Sequence, residues 1–194
     1  MQITPLDGAL GAEIEGLDLK QPLDQATLQE LVDAYLHHKL LVIRGQDLTM
    51  PAYEAFARHW GDFYIETYDN LAMPEHPAIM EVGNVGGVLE TADYRNGAAF
   101  WHTDRAYADD CNAATMLYCI HAPASGGETH FCDLVAAYDA LDEETKQRIE
   151  GVHATHRYGG GEREEWEYEV HPMVPGQEEK LPVGRQPLAR KHSA

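Results

Sequence analysis

Basic residues are scarce in this 194-residue chain: 14 Lys and Arg stand against 33 Asp and Glu, a formal net charge of -19. Such a field repels phosphate backbones and anionic lipid headgroups, which argues against nucleic acid or a membrane surface as a partner. Much of the acidic excess is local, in "GEREEWEYEV" and "QEEK". Cysteines are equally few. Cys111, Cys119 and Cys132 contain no CxxC pair and are odd in number, which argues against a disulfide framework and for a reducing compartment. They read as small apolar side chains. No apolar run reaches membrane-spanning length, and the start "MQITPLDGALGAEIEG" lacks the basic residues and long apolar stretch of a secretory signal. The cytoplasm is the expected location. No internal repeat is visible.

What is present is ordinary for a globular protein. Hydrophobic residues make up 44% of the chain, and its length suits one domain with a real core, here taken as residues 1–194. The first hundred residues mix strands and helices. "TLQELVDAYLHH" (27–38) sets Leu28, Leu31, Val32, Tyr35 and Leu36 at helical spacing, with Asp24 or Thr27 as cap. "LLVIRG" (40–45) suits a buried strand closed by Gly45. "TMPAYEAFARHWG" (49–61) predicts a second helix, capped by Thr49, with Pro51 in its first turn and Gly61 after its end. "AIMEVGN" (78–84) reads as a strand and 85–98 as a polar loop.

From residue 99 the pattern turns to strands: "AATMLYCIHAP" (113–123), a "PASGG" turn, then "ETHFCD" (128–133). Asp133 can cap a helix over 134–141, a solvated helical segment continues over 142–150, and "GVHATHRY" (151–158) is a further strand. The acidic, proline-containing stretch 159–182 suits a mobile loop or lid. "LPVGRQPLARKHSA" reads as the start of another strand, which at the very end would be an unpaired edge. These elements predict an α+β, mainly β fold: a sandwich or jelly roll with flanking helices.

The chemistry gathers in "FWHTDRAYADD" (100–110). On a strand, residues i and i+2 share a face, so His102 and Asp104 would point into one cavity while Thr103 faces away. An imidazole and a carboxylate on one side suit a divalent first-row metal. A second histidine would complete the facial triad of non-haem iron oxygenases. Phe100, Trp101 and Tyr107 suit a site that excludes water. Other histidines serve less well. His153 and His156 are three apart in a predicted strand and face opposite sides. His37 and His38 end a helix, where imidazole interacts with terminal carbonyls. His121, His130 and His171 have no partner at ligand spacing, and the pairs a structural zinc would need are missing.

The block "FWHTDRAYADDCNAATMLYCIHAPASGGETHFCDLVAAYDAL", preceded by "GAEIEGLDL", "LLVIRGQDLT" and "WGDF", resembles the TauD/TfdA family of iron(II)- and 2-oxoglutarate-dependent dioxygenases. The likeness runs from about Leu10 to the end of the chain. It implies a double-stranded β-helix (jelly-roll) core that oxidises, most simply hydroxylates, a C–H bond of a small molecule. Iron(II) would be the metal and 2-oxoglutarate and O2 the co-substrates, with succinate and CO2 released. His102 and Asp104 would be the first two iron ligands, and the Thr129 hydroxyl would bind a 2-oxoglutarate carboxylate. Because Asp104 fills the carboxylate position, a halogenase is not expected.

The chain departs from the family pattern in two ways. The distal iron-binding histidine and the arginine that pairs with 2-oxoglutarate fall beyond residue 194 in that pattern, and His192 does not match the histidine. Either a C-terminal portion with its strands is missing from this sequence, which is the favoured expectation, or the 194-residue chain alone is inactive. Ala98 and Glu66 also stand where taurine-oxidising members carry asparagine and histidine. A carboxylate repels a sulfonate, so taurine is disfavoured. Glu66, with Tyr64 nearby, hints instead at an amine-bearing substrate. Two other readings stay open: a non-catalytic binding or assembly module on the same fold, and a metal-dependent hydrolase, which would turn over without O2. A homo-oligomer is compatible with all of them.

Overall fold

A computed structural model of the chain describes residues 1–65, 72–82, 101–109, 112–157 and 183–191. The expectations placed on Glu66, on 85–98, on Phe100, Cys111 and His171, on the stretch 159–182 and on His192 lie outside these residues. The chain gathers into two compact units, one built from Met1–Gly61, Met116–Arg148 and Lys191, the other from the described parts of 62–115 and 149–190.

The first unit starts with a three-stranded sheet. Strand β1 (Gln2–Pro5) runs antiparallel to β2 (Ala12–Glu15), with Gln2 opposite Glu15, and β2 runs parallel to β3 (Leu41–Ile43), with Ala12 opposite Leu41. Period-two alternation along β2 sends Ala12 and Ile14 inward, both essentially without solvent exposure. The parallel crossover from β2 to β3 is helix α1 (Gln25–His38), which buries Leu31 and Ala34. Its start is set by Asp24, whose carboxylate accepts from the Thr27 amide at 2.7 Å. Its end is set by Lys39 in the left-handed region, φ 65°, whose amide donates back to the Tyr35 carbonyl.

Helix α2 (Met50–Ala57) is capped by Thr49 and tightens into a 3-10 turn, Arg58–Trp60, that ends at Gly61 with φ 134°. The helix expected over 49–61 thus loses its last turn to tighter winding. Ile14, Leu19, Leu31, Leu48 and Phe56 form the core, with Met116 and Tyr118 packed against it. Trp60 lies edge-on to Tyr35 at 5.4 Å between ring centres. Helix α3 (Leu134–Asp139) is capped by Asp133, and α4 (Glu143–Ile149) follows.

Two strand expectations need correction. Residues 113–123 and 128–133 carry no strand assignment. From 112 to 119 the exposure alternates as a strand's would, Ala114, Met116 and Tyr118 facing in and Thr115, Leu117 and Cys119 facing out. Alternation in sequence reports burial of one face; a strand also needs a neighbour to complete its ladder, and these segments have none among the described residues. The chain after residue 99 is accordingly less β-rich in its described part than its pattern suggests.

In the second unit, β4 (Ala72–Met73) and β5 (His76–Met80) form a hairpin, so the strand expected at 78–84 starts earlier. β6 (His153–Arg157) pairs antiparallel with β7 (Val183–Pro187), His156 opposite Gly184 and Ala154 opposite Gln186. The strand that looked like an unpaired edge has a partner 30 residues earlier in the chain, a distance at which sequence carries no register signal. The architecture is α+β, with several small sheets. No helix among the described residues is long and apolar enough to cross a membrane.

Candidate metal centre

His102 and Asp104 lie not on a strand but at the start of a turn. The Ala106 amide donates to the Thr103 carbonyl at 3.3 Å and the Ala108 amide to the Arg105 carbonyl at 2.9 Å. Arg105 takes φ 56°, a left-handed conformation uncommon for a side chain other than Asn, Asp or Gly. The two side chains do meet, although residues 101–103 carry no strand assignment and the turn begins only at Asp104. The imidazole Nε2 and the carboxylate Oδ1 are 3.3 Å apart.

Strand β7 props this turn. Gly184 and Gln186 lie on its one less exposed face, and the Gln186 amide group donates to the Ala108 carbonyl at 3.1 Å. The Arg190 guanidinium reaches the Asp109 carbonyl at 3.4 Å. A Cβ at Gly184 would lie 2.3 Å from the Tyr107 carbonyl oxygen, so only glycine lets the turn come this close to the strand.

Asp104 is held by a second contact: the Thr115 hydroxyl donates to its Oδ2 at 2.8 Å. Beside it, the Arg105 guanidinium sits 3.4 Å from the centre of the Tyr64 ring and donates to Asn112 Oδ1 at 3.2 Å. Tyr64 thus joins the site through Arg105. Trp101 is 69% exposed and does not shield the pair from water, contrary to expectation, and Tyr107 is half-buried. Thr129 lies in the first unit, exposed, four residues before the α3 cap. Thr115, Arg105 and Asn112 escaped the sequence reading. Thr115 carries no signal beyond its outward place in an alternating segment, and Arg105 none at all.

The donors fit a first-row metal. Two ligands bound cis at about 2.1 Å each stand about 3.0 Å apart, close to the observed 3.3 Å. The side chains are 39% and 45% exposed, which leaves an ion a route in. Among the described residues no third His, Cys, Asp or Glu joins them.

The model of the family described as "Taurine catabolism dioxygenase TauD, TfdA family" matches residues 2–193. An alpha-ketoglutarate-dependent 2,4-dichlorophenoxyacetate dioxygenase from Cupriavidus pinatubonensis is 30% identical over 162 residues, 78% of this chain and 56% of that protein. A (S)-phenoxypropionate/alpha-ketoglutarate-dioxygenase from Sphingobium herbicidovorans is 35% identical over 156 residues, 79% of this chain and 52% of that one. The crystal structure of a taurine dioxygenase from Burkholderia xenovorans superposes with a TM-score of 0.70 at 24% identity, covering 99% of this chain and 59% of that chain. The chain spans about half the length of the curated relatives it matches.

Proposed function

Since the chain belongs to the TauD/TfdA dioxygenase family, we propose that it serves an Fe(II)- and 2-oxoglutarate-dependent oxygenase acting on a C–H bond of a small molecule. On this reading its small sheets and helices belong to a jelly-roll core, and the protein works in the cytoplasm. The observation that carries the reading is the 3.3 Å approach of His102 Nε2 to Asp104 Oδ1, with the carboxylate held from behind by Thr115.

His102 and Asp104 supply two of the three protein ligands of a facial triad, and Thr129 holds a carboxylate of 2-oxoglutarate. Bound iron(II) would supply the oxidising chemistry with O2 and 2-oxoglutarate. The chain's own part is to orient the donors. The turn anchored on β7 fixes where His102 and Asp104 stand, and the Thr115 hydroxyl fixes how the carboxylate is rotated. Tyr64 and Glu66 would take part in substrate recognition. The relatives named for 2,4-dichlorophenoxyacetate and phenoxypropionate act on small aryloxy acids. Arg105, beside Tyr64, would favour an anionic group of that kind.

Anaerobic addition of Fe(II) and 2-oxoglutarate should produce a weak visible charge-transfer band, lost in His102→Ala and Asp104→Ala. In a protein extended through the distal histidine and the arginine that the family pattern places after residue 194, aerobic incubation with a panel of aryloxy acids, sulfate esters, amines and amino acids should release succinate with one class. A band of equal strength in both variants would remove these two residues from the site.

A further inference from the structure

The Thr115 hydroxyl is not itself a ligand in the proposed centre, yet it donates to the Asp104 oxygen that is not the one beside His102. Oδ2 receives this hydrogen bond at 2.8 Å while Oδ1 stands 3.3 Å from the imidazole. A carboxylate can grip a metal through one oxygen or both, and the choice decides how many positions stay open around the ion. Bidentate binding would rotate Oδ2 toward the metal and pull it off the line of the bond to Thr115. Monodentate binding through Oδ1 keeps it. We propose that Thr115 is the positioning residue of this centre, holding Asp104 as a one-oxygen ligand and so keeping an adjacent position free for a co-substrate.

This inference deepens the metal-site reading above and rests on it. Ligand carboxylates are oriented by the groups that hydrogen-bond to them, and losing such a group costs about 10- to 100-fold in metal affinity or activity. Thr115 is well placed for the task. It lies in the outward register of the 112–119 segment, whose alternate residues Met116 and Tyr118 are packed against the core. The hydroxyl therefore sits on an anchored backbone rather than on a free loop. Arg105 constrains the other end, since its left-handed backbone and its contacts to Tyr64 and Asn112 hold the residue directly after Asp104.

The test titrates the apo chain with Mn(II) alone, following the free-ion signal by electron paramagnetic resonance. The proteins compared are wild type, Thr115→Val, Thr115→Ser and Asp104→Ala. Valine keeps the shape and removes the donor; serine keeps the donor. Thr115→Val should bind Mn(II) about 10-fold more weakly or worse, Thr115→Ser should stay within about twofold of wild type, and Asp104→Ala should lose the ion. The urea midpoint should be the same in Thr115→Val and wild type, because the residue is exposed; Thr115→Ala gives the same reading should valine prevent folding. Thr115→Val binding as tightly as wild type, with Asp104→Ala still defective, overturns the role of Thr115 and leaves the metal site standing. So does a Thr115→Ser protein as weak as the valine variant. Undiminished binding in Asp104→Ala overturns both.

Discussion

Two tyrosine hydroxyls fasten the segment that follows Thr115, and removing each should have a different cost. Tyr118 Oη accepts from the Leu48 amide at 2.8 Å, and its own proton points to the Gln46 carbonyl at 3.4 Å. Tyr53 Oη donates to the Met116 carbonyl at 2.9 Å. The rings lie 5.5 Å apart, so a phenylalanine at either position keeps the aromatic packing. Tyr118→Phe strands the amide of Leu48, a residue only 8% exposed, and a buried donor left without an acceptor costs about 1–3 kcal/mol. Tyr53→Phe removes one bond to a carbonyl that keeps a second lone pair, so its cost should be about 0.5–1.5 kcal/mol. In a chain of this length each kcal/mol corresponds to about 2–4 °C in Tm. Urea denaturation gives the two losses, and amide hydrogen exchange gives the cause: Leu48 should exchange faster in Tyr118→Phe and not in Tyr53→Phe. An unchanged Leu48 exchange rate in Tyr118→Phe, or a larger loss in Tyr53→Phe, would refute the assignment of these bonds.

Leu31 has no solvent exposure at the centre of the first unit, so Leu31→Ala should cost about 2–5 kcal/mol by urea denaturation. Gly184→Ala would press a methyl against the Tyr107 carbonyl, and should both destabilise β6–β7 by about 1–3 kcal/mol or more and weaken Mn(II) binding at the turn. Asp133 is held below the ordinary carboxylate range, first by its hydrogen bond to Lys39 and then by the Ala136 and Val135 amides it caps. Asp24 and Asp142 are lowered chiefly by the amides of Thr27 and Thr145. Because these folded-state values are depressed, the stabilisation is complete above the ordinary carboxylate value and is lost as pH falls through the lowered ones. Urea midpoints measured downward from pH 5 should fall in wild type, and fall less steeply in Lys39→Met. Equal slopes in the two proteins would contradict the Lys39–Asp133 pairing.

The helices were legible because their signals are local. Asp24, Thr49 and Asp133 each cap an amide two or three residues away, and Gly61 and the 37–38 histidine pair mark helix ends. The closeness of His102 and Asp104 was legible too, as a spacing. They were expected to share the face of a strand, whereas residues 101–103 carry no strand assignment and a turn begins at Asp104, with a left-handed Arg105 after it.

Residue types and short-range hydrogen bonds, then, were enough to announce the caps, the end of α1, the start of α2 and the His102–Asp104 pair, since each depends on neighbours within one helical turn. Folding alone could assign β7 to β6, bring Gly184 beneath Tyr107 and aim Thr115 at the back of Asp104. Those contacts join residues 11 to 77 positions apart, and which of many polar or small residues meets which is decided by the path of the backbone through space.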